Sequence, residues 1–427
     1  DSMMVGRVSP AALAAVAIGN MYFFAAAIFG MGVLLALDPV ISQAVGANDE
    51  AAIARAVQRG FVIGLILTIL TSAVLPTARV VLTWLRQPAD VVPLAHTYSL
   101  GVIWGVAPYF FFIVIRQTLQ AMHNTRAIVW TIIFANLANV ALNWVLIFGN
   151  LGAPKLGVFG AAIATSVSRW LMFFVIAWLA WSHLHKYVRP LLRETFVLRP
   201  LVHMIRIGAP IGGALFLEYA TFGTIALLMG LLGTTEVAGH QIAINLASLT
   251  FMVPAGIGAA ATVLVGNAIG REDPVGARNS AKAALLAGAG FMSLSAFVFL
   301  AIPHLLAVLY TKDAGVLAVA VTLIPIAGLF QVFDGIQVVG AGVLRGAGDT
   351  RAPMVIGLLG FWLVGMPVSI YLGLYTPMRA VGLWVGFVFG LAAVAGFLLL
   401  RIRHRFSREL HRLAIEEQHL PALEVAD

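Results

Sequence analysis

An all-α integral membrane protein is the fold class this sequence predicts, and three observations carry it. Charged residues make up 10% of the 427-residue chain and hydrophobic ones 61%, with a mean hydropathy of +0.98; a soluble chain carries about a quarter charged residues. Runs of 20 or more apolar residues recur along the whole length, each long enough to cross roughly 30 Å of hydrocarbon as a helix. The strict alternation of a membrane β-barrel is absent, and helices and closed barrels are the folds that satisfy the backbone inside lipid.

Taken in chain order, apolar runs between polar breaks predict helices over 11–44, 57–82, 91–121, 127–149, 158–182, 206–232, 237–269, 280–310, 315–344, 352–374 and 380–400, eleven spans in all. Of the 26 Lys and Arg, 19 fall on one side when loops are assigned alternately, including Arg55, Arg126, Lys186, Arg271, Arg351 and the cluster from Arg401 to Arg412. Arg7, Arg79, Arg86, Lys155, Lys312 and Arg379 fall on the other. The positive-inside rule then places the basic side, with the C-terminal tail, in the cytoplasm and the loops near Lys155 and Lys312 outside. Eleven spans leave Asp1 on the outer side. The chain opens "DSMMVGRVSP", with neither a charged leader nor a complete apolar span, so the reading is that a first helix is missing and would bring the total to twelve.

The chain repeats itself. Residues 13–55 align without a gap on 237–279 at an offset of 224, placing Gly32, Gly46 and Asp49 on Gly256, Gly270 and Asp273. "LQAMHNTRA" at 119 matches "LRGAGDTRA" at 344. Six spans per repeat keep both halves in one orientation, with the symmetry axis along the membrane normal. The predicted plan is two parallel six-helix lobes: an N-terminal lobe over 1–182, a basic linker over 183–206, a C-terminal lobe over 207–401 and a tail over 402–427.

Several functions are excluded by what the chain lacks. With no cysteine there are no disulfides, thiolate metal sites or thiol nucleophiles. No His-Glu-x-x-His, Gly-x-Ser-x-Gly or Walker-type phosphate loop occurs. The net charge of +8 lies in short loops between spans, so it reports topology and implies no nucleic-acid partner. Two parallel lobes meeting at a central cleft form a transporter architecture, and no enzyme activity is expected.

Three acids fall well inside spans. Glu218 is the single charge in "GAPIGGALFLEYATFGTIALLMGLLG", about 12 residues into its predicted helix, which at 1.5 Å per residue is roughly mid-membrane. A carboxyl there costs several kcal/mol if it faces lipid, so Glu218 is a candidate cation or proton site. Asp334, in "GLFQVFDGIQVVGAG", is the second candidate, with Gln331 and Gln337 one turn to either side to line a wet groove. Asp38 precedes Pro39 near a helix end and reads as a helix-end or gate residue. Asn136, Asn139 and Asn143 form a stripe that suits interhelical hydrogen bonds worth about 1 kcal/mol each, or a first-lobe polar site completed by Asp1. Arg116 and Arg169 read as helix anchors or counter-charges, and His240 as a packed, hydrogen-bonded group.

The stretches "GVLLALDPVISQAVGANDE", "LNWVLIFGNLGAPKLGVFGAAIAT", "GAPIGGALFLEYATF", "VAGHQIAINLASLTFMVPAGIGAAATVLVGNAIG" and "GAGVLRGAGDTRAP" together resemble the multidrug and toxic compound extrusion (MATE) transporters, the NorM-like branch in particular, over essentially the whole chain. The resemblance implies a bacterial inner-membrane antiporter, monomeric and without a cofactor, that exports lipophilic cations in exchange for inward-moving Na⁺ or H⁺. By position, Glu218 and Asp334 match the second-lobe cation-site acids. Asp1 matches the acid of the first helix's Val-Asp-Thr segment, and Asn139 and Asn143 match first-lobe polar partners. Two acids in one lobe offer four carboxylate oxygens, an arrangement that favours Na⁺. A lipid-linked oligosaccharide flippase of the same superfamily is the second reading, and an integral-membrane transferase a third.

Overall fold

The structure is a computed structural model that describes residues 2–413 and Ile415, with side chains from Met4 onward. Eleven helices among these are long and apolar enough to cross a membrane: α1 Pro10–Gly46, α2 Glu50–Trp84, α3 Val91–Ala121, α4 Arg126–Phe148, α5 Gly157–Leu179, α6 Leu198–Leu232, α7 Thr234–Gly270, α8 Pro274–Ala301, α9 Ala314–Gly346, α10 Arg351–Leu374 and α11 Arg379–Phe406. No strand occurs among the described residues.

Several helices overrun the apolar runs at polar ends, whereas α5 and α8 stop at Leu179 and Ala301, short of the predicted 182 and 310, with a separate short helix at Pro303–Val308 after α8. α2 and α8 start at Glu50 and Pro274 because Asp49 and Asp273 cap them: Asp49 Oδ1 accepts from the Ala52 N–H at 2.9 Å and Asp273 Oδ1 from the Gly276 N–H at 2.7 Å. Such a cap contributes about 1 kcal/mol. α6 starts at Leu198 and α11 continues to Phe406, so the stretch read as linker and the first residues read as tail are partly helical. Hydropathy marks where lipid ends, and a helix stops at its caps.

The repeat is visible in the helix ends. α1 and α7 are both 37 residues long, and each boundary of one maps onto the other at the same offset of 224. The apolar core falls into two large clusters, one drawn from residues between Val5 and Ile207 and the other from residues between Ile225 and Phe406.

The two halves meet through glycines. A Cβ on Gly46 would fall on the carbonyl oxygen of Asn267, and one on Gly270 would fall on the carbonyl oxygen of Gln43. These contacts are each other's images, since Gly46 and Gln43 map onto Gly270 and Asn267 in the repeat. Nearby, Gly32 lies against the backbone of Gly212, and Gly208 against the carbonyl of Val33. Only the absence of a side chain allows backbones to approach this closely.

The basic end of the bundle is tied further. Gln58, buried on α2, donates to the carbonyls of Tyr187 and Pro190, both at 3.0 Å, and accepts from the Leu192 N–H and Thr195 hydroxyl at 2.9 and 2.7 Å. One glutamine thus makes four bonds to the connection between the halves, and Arg59 Nη2 adds another to the Glu194 carbonyl at 3.1 Å. After α11, Leu410 packs on the C-terminal cluster while Leu413 and Ile415 pack on the N-terminal one. The Leu413 N–H donates to Gln43 Oε1 at 2.7 Å, and Arg412 Nη2 lies 2.9 Å from Asp49 Oδ2. Partial burial raises the affinity of Asp49 for protons, but the Ala52 N–H and Arg412 outweigh it and hold its carboxyl below the usual carboxylate range. Because a depressed carboxyl is ionised at neutral pH and neutralised as pH falls through its folded value, the tail's ion pair weakens on acidification.

Candidate functional site

α6, α7 and α9 of the C-terminal half and α1 of the N-terminal half enclose a cavity of about 470 Å³. Each of the three C-terminal helices carries an internal proline, Pro210, Pro254 and Pro325 respectively. An interior proline removes a backbone hydrogen bond and bends the helix. Phe24, Ile28 and Met31 form the α1 wall, and Tyr219, Phe222, Phe251 and Phe330 face them. Phe330 is 1% exposed and its ring centroid lies 4.9 Å from that of Phe387 and 5.7 Å from that of Trp384, which makes this wall rigid. Into this apolar enclosure project two acids, Glu218 from α6 and Asp334 from α9.

The two carboxyls lie within electrostatic range of each other. Asp334 is buried and Glu218 half-buried, in surroundings where two like charges stay ionised together only if a cation joins them. Together they offer four carboxylate oxygens, a donor set that hard cations accept, and an apolar wall suited to a lipophilic body. Glu218 also opens onto a second, narrower cavity that runs toward the basic end past Gln337, Arg345 and Thr350, and the Gln337 side chain is within hydrogen-bonding reach of the Glu218 carboxyl.

The remaining sequence candidates are dispersed. Gln331 does not line the groove with Asp334: its Oε1 accepts from Thr250 at 2.9 Å and Ser295 at 2.7 Å, tying α7, α8 and α9 together. A spacing of three residues rotates a helix by 300° rather than a full turn, which puts Gln331 on the side facing α8. Asp38 lies apart from both acids, buried at 3% exposure, with Gln117 Nε2 donating to its Oδ2 at 2.5 Å. Asn143 donates to Asn139 at 2.9 Å and Asn139 to Ser168 Oγ at 3.2 Å, a polar thread between α4 and α5. Asn136 stands outside it, exposed and bonded back to the Ile132 carbonyl of its own helix at 2.8 Å. Asp1 lies outside the described residues. His240 accepts from Trp384 Nε1 at 3.2 Å in a buried pair, a packing role.

Two groups stand out in the structure that the sequence reading did not single out for function. The guanidinium of Arg169 sits 3.9 Å from the centroid of the Phe23 ring and 5.2 Å from that of Tyr109, so aromatic faces hold a cation inside the N-terminal half. Arg345, counted only as a topology charge, reaches into the narrow cavity below Glu218. The repeat holds a signal for it, because "LQAMHNTRA" has Gln120 where "LRGAGDTRA" has Arg345.

Comparison with known proteins agrees with this architecture. The MatE family profile matches residues 1–145 and 210–371. The chain is 36% identical over 409 residues to the probable multidrug resistance protein NorM of Bradyrhizobium diazoefficiens, covering 94% of this chain and 88% of that one. It is likewise 36% identical to the multidrug resistance protein MdtK of Edwardsiella ictaluri, covering 94% and 90%. The fold is similar to that of the eukaryotic MATE transporter AtDTX14, with a TM-score of 0.86 at 24% identity over 95% of this chain and 92% of that one. It is also similar to the outward-facing conformation of a multidrug resistance MATE family transporter of the MOP superfamily, with a TM-score of 0.85 at 20% identity over 95% and 90%. With the family profile matched over more than half of the chain and relatives at 36% identity over 94% of it, the chain belongs to the MatE family, the multidrug and toxic compound extrusion transporters.

Proposed function

We propose that this protein exports lipophilic cations across a bacterial inner membrane in exchange for Na⁺ or H⁺, with Glu218 and Asp334 as the coupling groups. The observation that supports this reading is the pair of acids in one apolar cavity of about 470 Å³. Aromatic and aliphatic walls hold the body of the guest while the carboxyls hold its charge, and the same carboxyls serve the coupling ion, so the two occupants exclude one another. Exchange follows when each occupant lowers the energy of reorientation and outward movement of the guest is driven by the inward gradient of the ion. The close glycine contacts at the basic end, which we place in the cytoplasm, make the described conformation outward-facing. An anionic lipid-linked oligosaccharide would meet two acids in this cavity, which disfavours the flippase reading. We place the division between two lobes at the linker held by Gln58, and take Asn139, Asn143 and Asp1 as a first-lobe polar site.

Na⁺ is the expected coupling ion, since four carboxylate oxygens exceed what one proton needs. The test is efflux of an ethidium-class dye from proteoliposomes at equal pH on both sides, with a protonophore present and an inward Na⁺ gradient imposed. Efflux that persists supports Na⁺; efflux that stops and returns under a pH gradient without Na⁺ assigns the role to H⁺. Efflux under neither gradient sinks the antiport reading.

Orientation has its own check. In this cysteine-free chain, a single cysteine in place of Leu191 is expected to resist an impermeant thiol reagent in intact cells, and one in place of Leu151 to react. Both positions are exposed, so the reverse pattern would invert the topology.

A further inference from the structure

Arg345 lies at the basic end of α9, within electrostatic range of two acids on opposite halves of the molecule. Glu218 belongs to the C-terminal half and shares the narrow cavity with it. Asp38 belongs to α1 in the N-terminal half, where it is buried with its Oδ1 lacking a hydrogen-bond partner. The buried Nε of Arg345 has no hydrogen-bond partner among the described residues. The next residue, Gly346, is part of the seam between the halves: its carbonyl accepts from Gln43 Nε2 of α1 at 2.9 Å. One cation is therefore shared between an acid that answers to the cavity and an acid that answers to the closure of the basic end.

We propose that Arg345 is a tethered internal cation for which Glu218 and Asp38 compete, and that this competition makes closure of the basic end depend on whether the cavity is filled. The inference rests on Glu218 being a coupling group. An empty, charged Glu218 draws the guanidinium toward the cavity, and Asp38 is left in the seam with only Arg116 and Gln117 to balance it. A buried acid deprived of a counter-charge destabilises the closed seam. When a cation of either kind occupies Glu218 and Asp334, Arg345 is released to Asp38 and the closed seam becomes stable. This rule governs one half of the exchange cycle, tying closure of the basic end to loading of the cavity. Arg345 is a positioning residue in this scheme: it acts through the acids and need not touch the guest.

Paired spin labels on Ala51→Cys and Arg271→Cys, both exposed and on opposite halves at the basic end, report the seam without any transport. In detergent without Na⁺ or dye, Glu218→Gln, which mimics a filled site, is expected to raise the ratio of short to long distances by about tenfold, the size of one partly screened charge interaction. Arg345→Ala is expected to lower that ratio and Asp38→Asn to raise it, each abolishing the response to Glu218→Gln, whereas Arg345→Lys restores the response. Opposite signs from the two single variants distinguish a shared charge from a merely structural contact. A response to Glu218→Gln of equal size in the Arg345→Ala and wild-type backgrounds overturns the proposal, as does a ratio that Asp38→Asn and Arg345→Ala move in the same direction. Loss of ion-driven efflux in Glu218→Gln with a normal seam response leaves the transport reading intact; normal efflux in Glu218→Gln removes the transport reading whatever the seam does.

Discussion

Glu218→Gln and Asp334→Asn are each expected to lower ion-driven efflux by at least about 100-fold while the folded protein remains in the membrane. The amides keep the shape of the acids and lose the charge that holds a cation. The cavity walls are apolar and offer no other charge to replace it. A factor of 100 corresponds to about 2.7 kcal/mol of lost differential binding, modest for a carboxylate that pairs with a cation in low dielectric. Stability moves the other way: removing one of two neighbouring acids, Asp334 buried and Glu218 half-buried, relieves repulsion and desolvation, so the thermal midpoint of either variant should equal or exceed that of the parent. Efflux from proteoliposomes and a melting curve on the same preparation check both halves of this expectation. Wild-type efflux under a limiting ion gradient removes the residue concerned from the coupling site, and a lowered midpoint points to a structural defect instead.

The second large effect is expected at the glycine seam. Gly46→Ala and Gly270→Ala each drive a Cβ into a backbone carbonyl of the opposite half, that of Asn267 or Gln43. A backbone atom does not swing aside as the end of a side chain does. Overpacking of this kind costs about 1–3 kcal/mol, which shifts the balance between closed and open seams by roughly 5- to 150-fold. The two variants should act alike, because they are images of one another in the repeat. Gly256 supplies the contrast: it is the image of Gly32, yet a Cβ there meets nothing within 4 Å. Gly256→Ala should transport as the parent does and gain slightly in helix stability. Spin-label distances across the basic end decide the matter, and a seam that stays closed in Gly46→Ala and Gly270→Ala would show that these contacts are slack.

Much of this architecture could be read from the chain because lipid imposes a one-dimensional rule. Apolar length alone locates eleven spans, and the two acids announce themselves because a carboxyl in such a run has no other reason to persist. The repeat was legible partly for a similar reason, since the aligned pair Gly46 and Gly270 lies at the seam, where a Cβ would meet backbone. What escaped was set by rotation and by partners distant in sequence. Gln331 sits one turn from Asp334 but faces Thr250 and Ser295. Asn136 shares a stripe with Asn139 and Asn143 but faces away from Ser168. A helix with apolar residues on all sides gives the sequence no means of telling its groove side from its lipid side. Arg345 was hidden because a basic residue near a helix end satisfies the topology rule without further explanation.

The placement of the ties described above has a kinetic consequence. The linker pinned by Gln58, the tail laid over Gln43 and Asp49, and the Gln43 to Gly346 bond all lie at the basic end. Separating the halves there requires the tail and the seam to let go, whereas among the described residues no such chain crossing restrains the ends of α1 and α6 at Pro10 and Leu232. Opening toward the basic end is therefore the activated step, and turnover should be limited by the lifetime of those ties rather than by loading of the cavity. Conditions that shorten that lifetime, such as acid that neutralises Asp49, are expected to speed the opening step even where they weaken the grip on the guest.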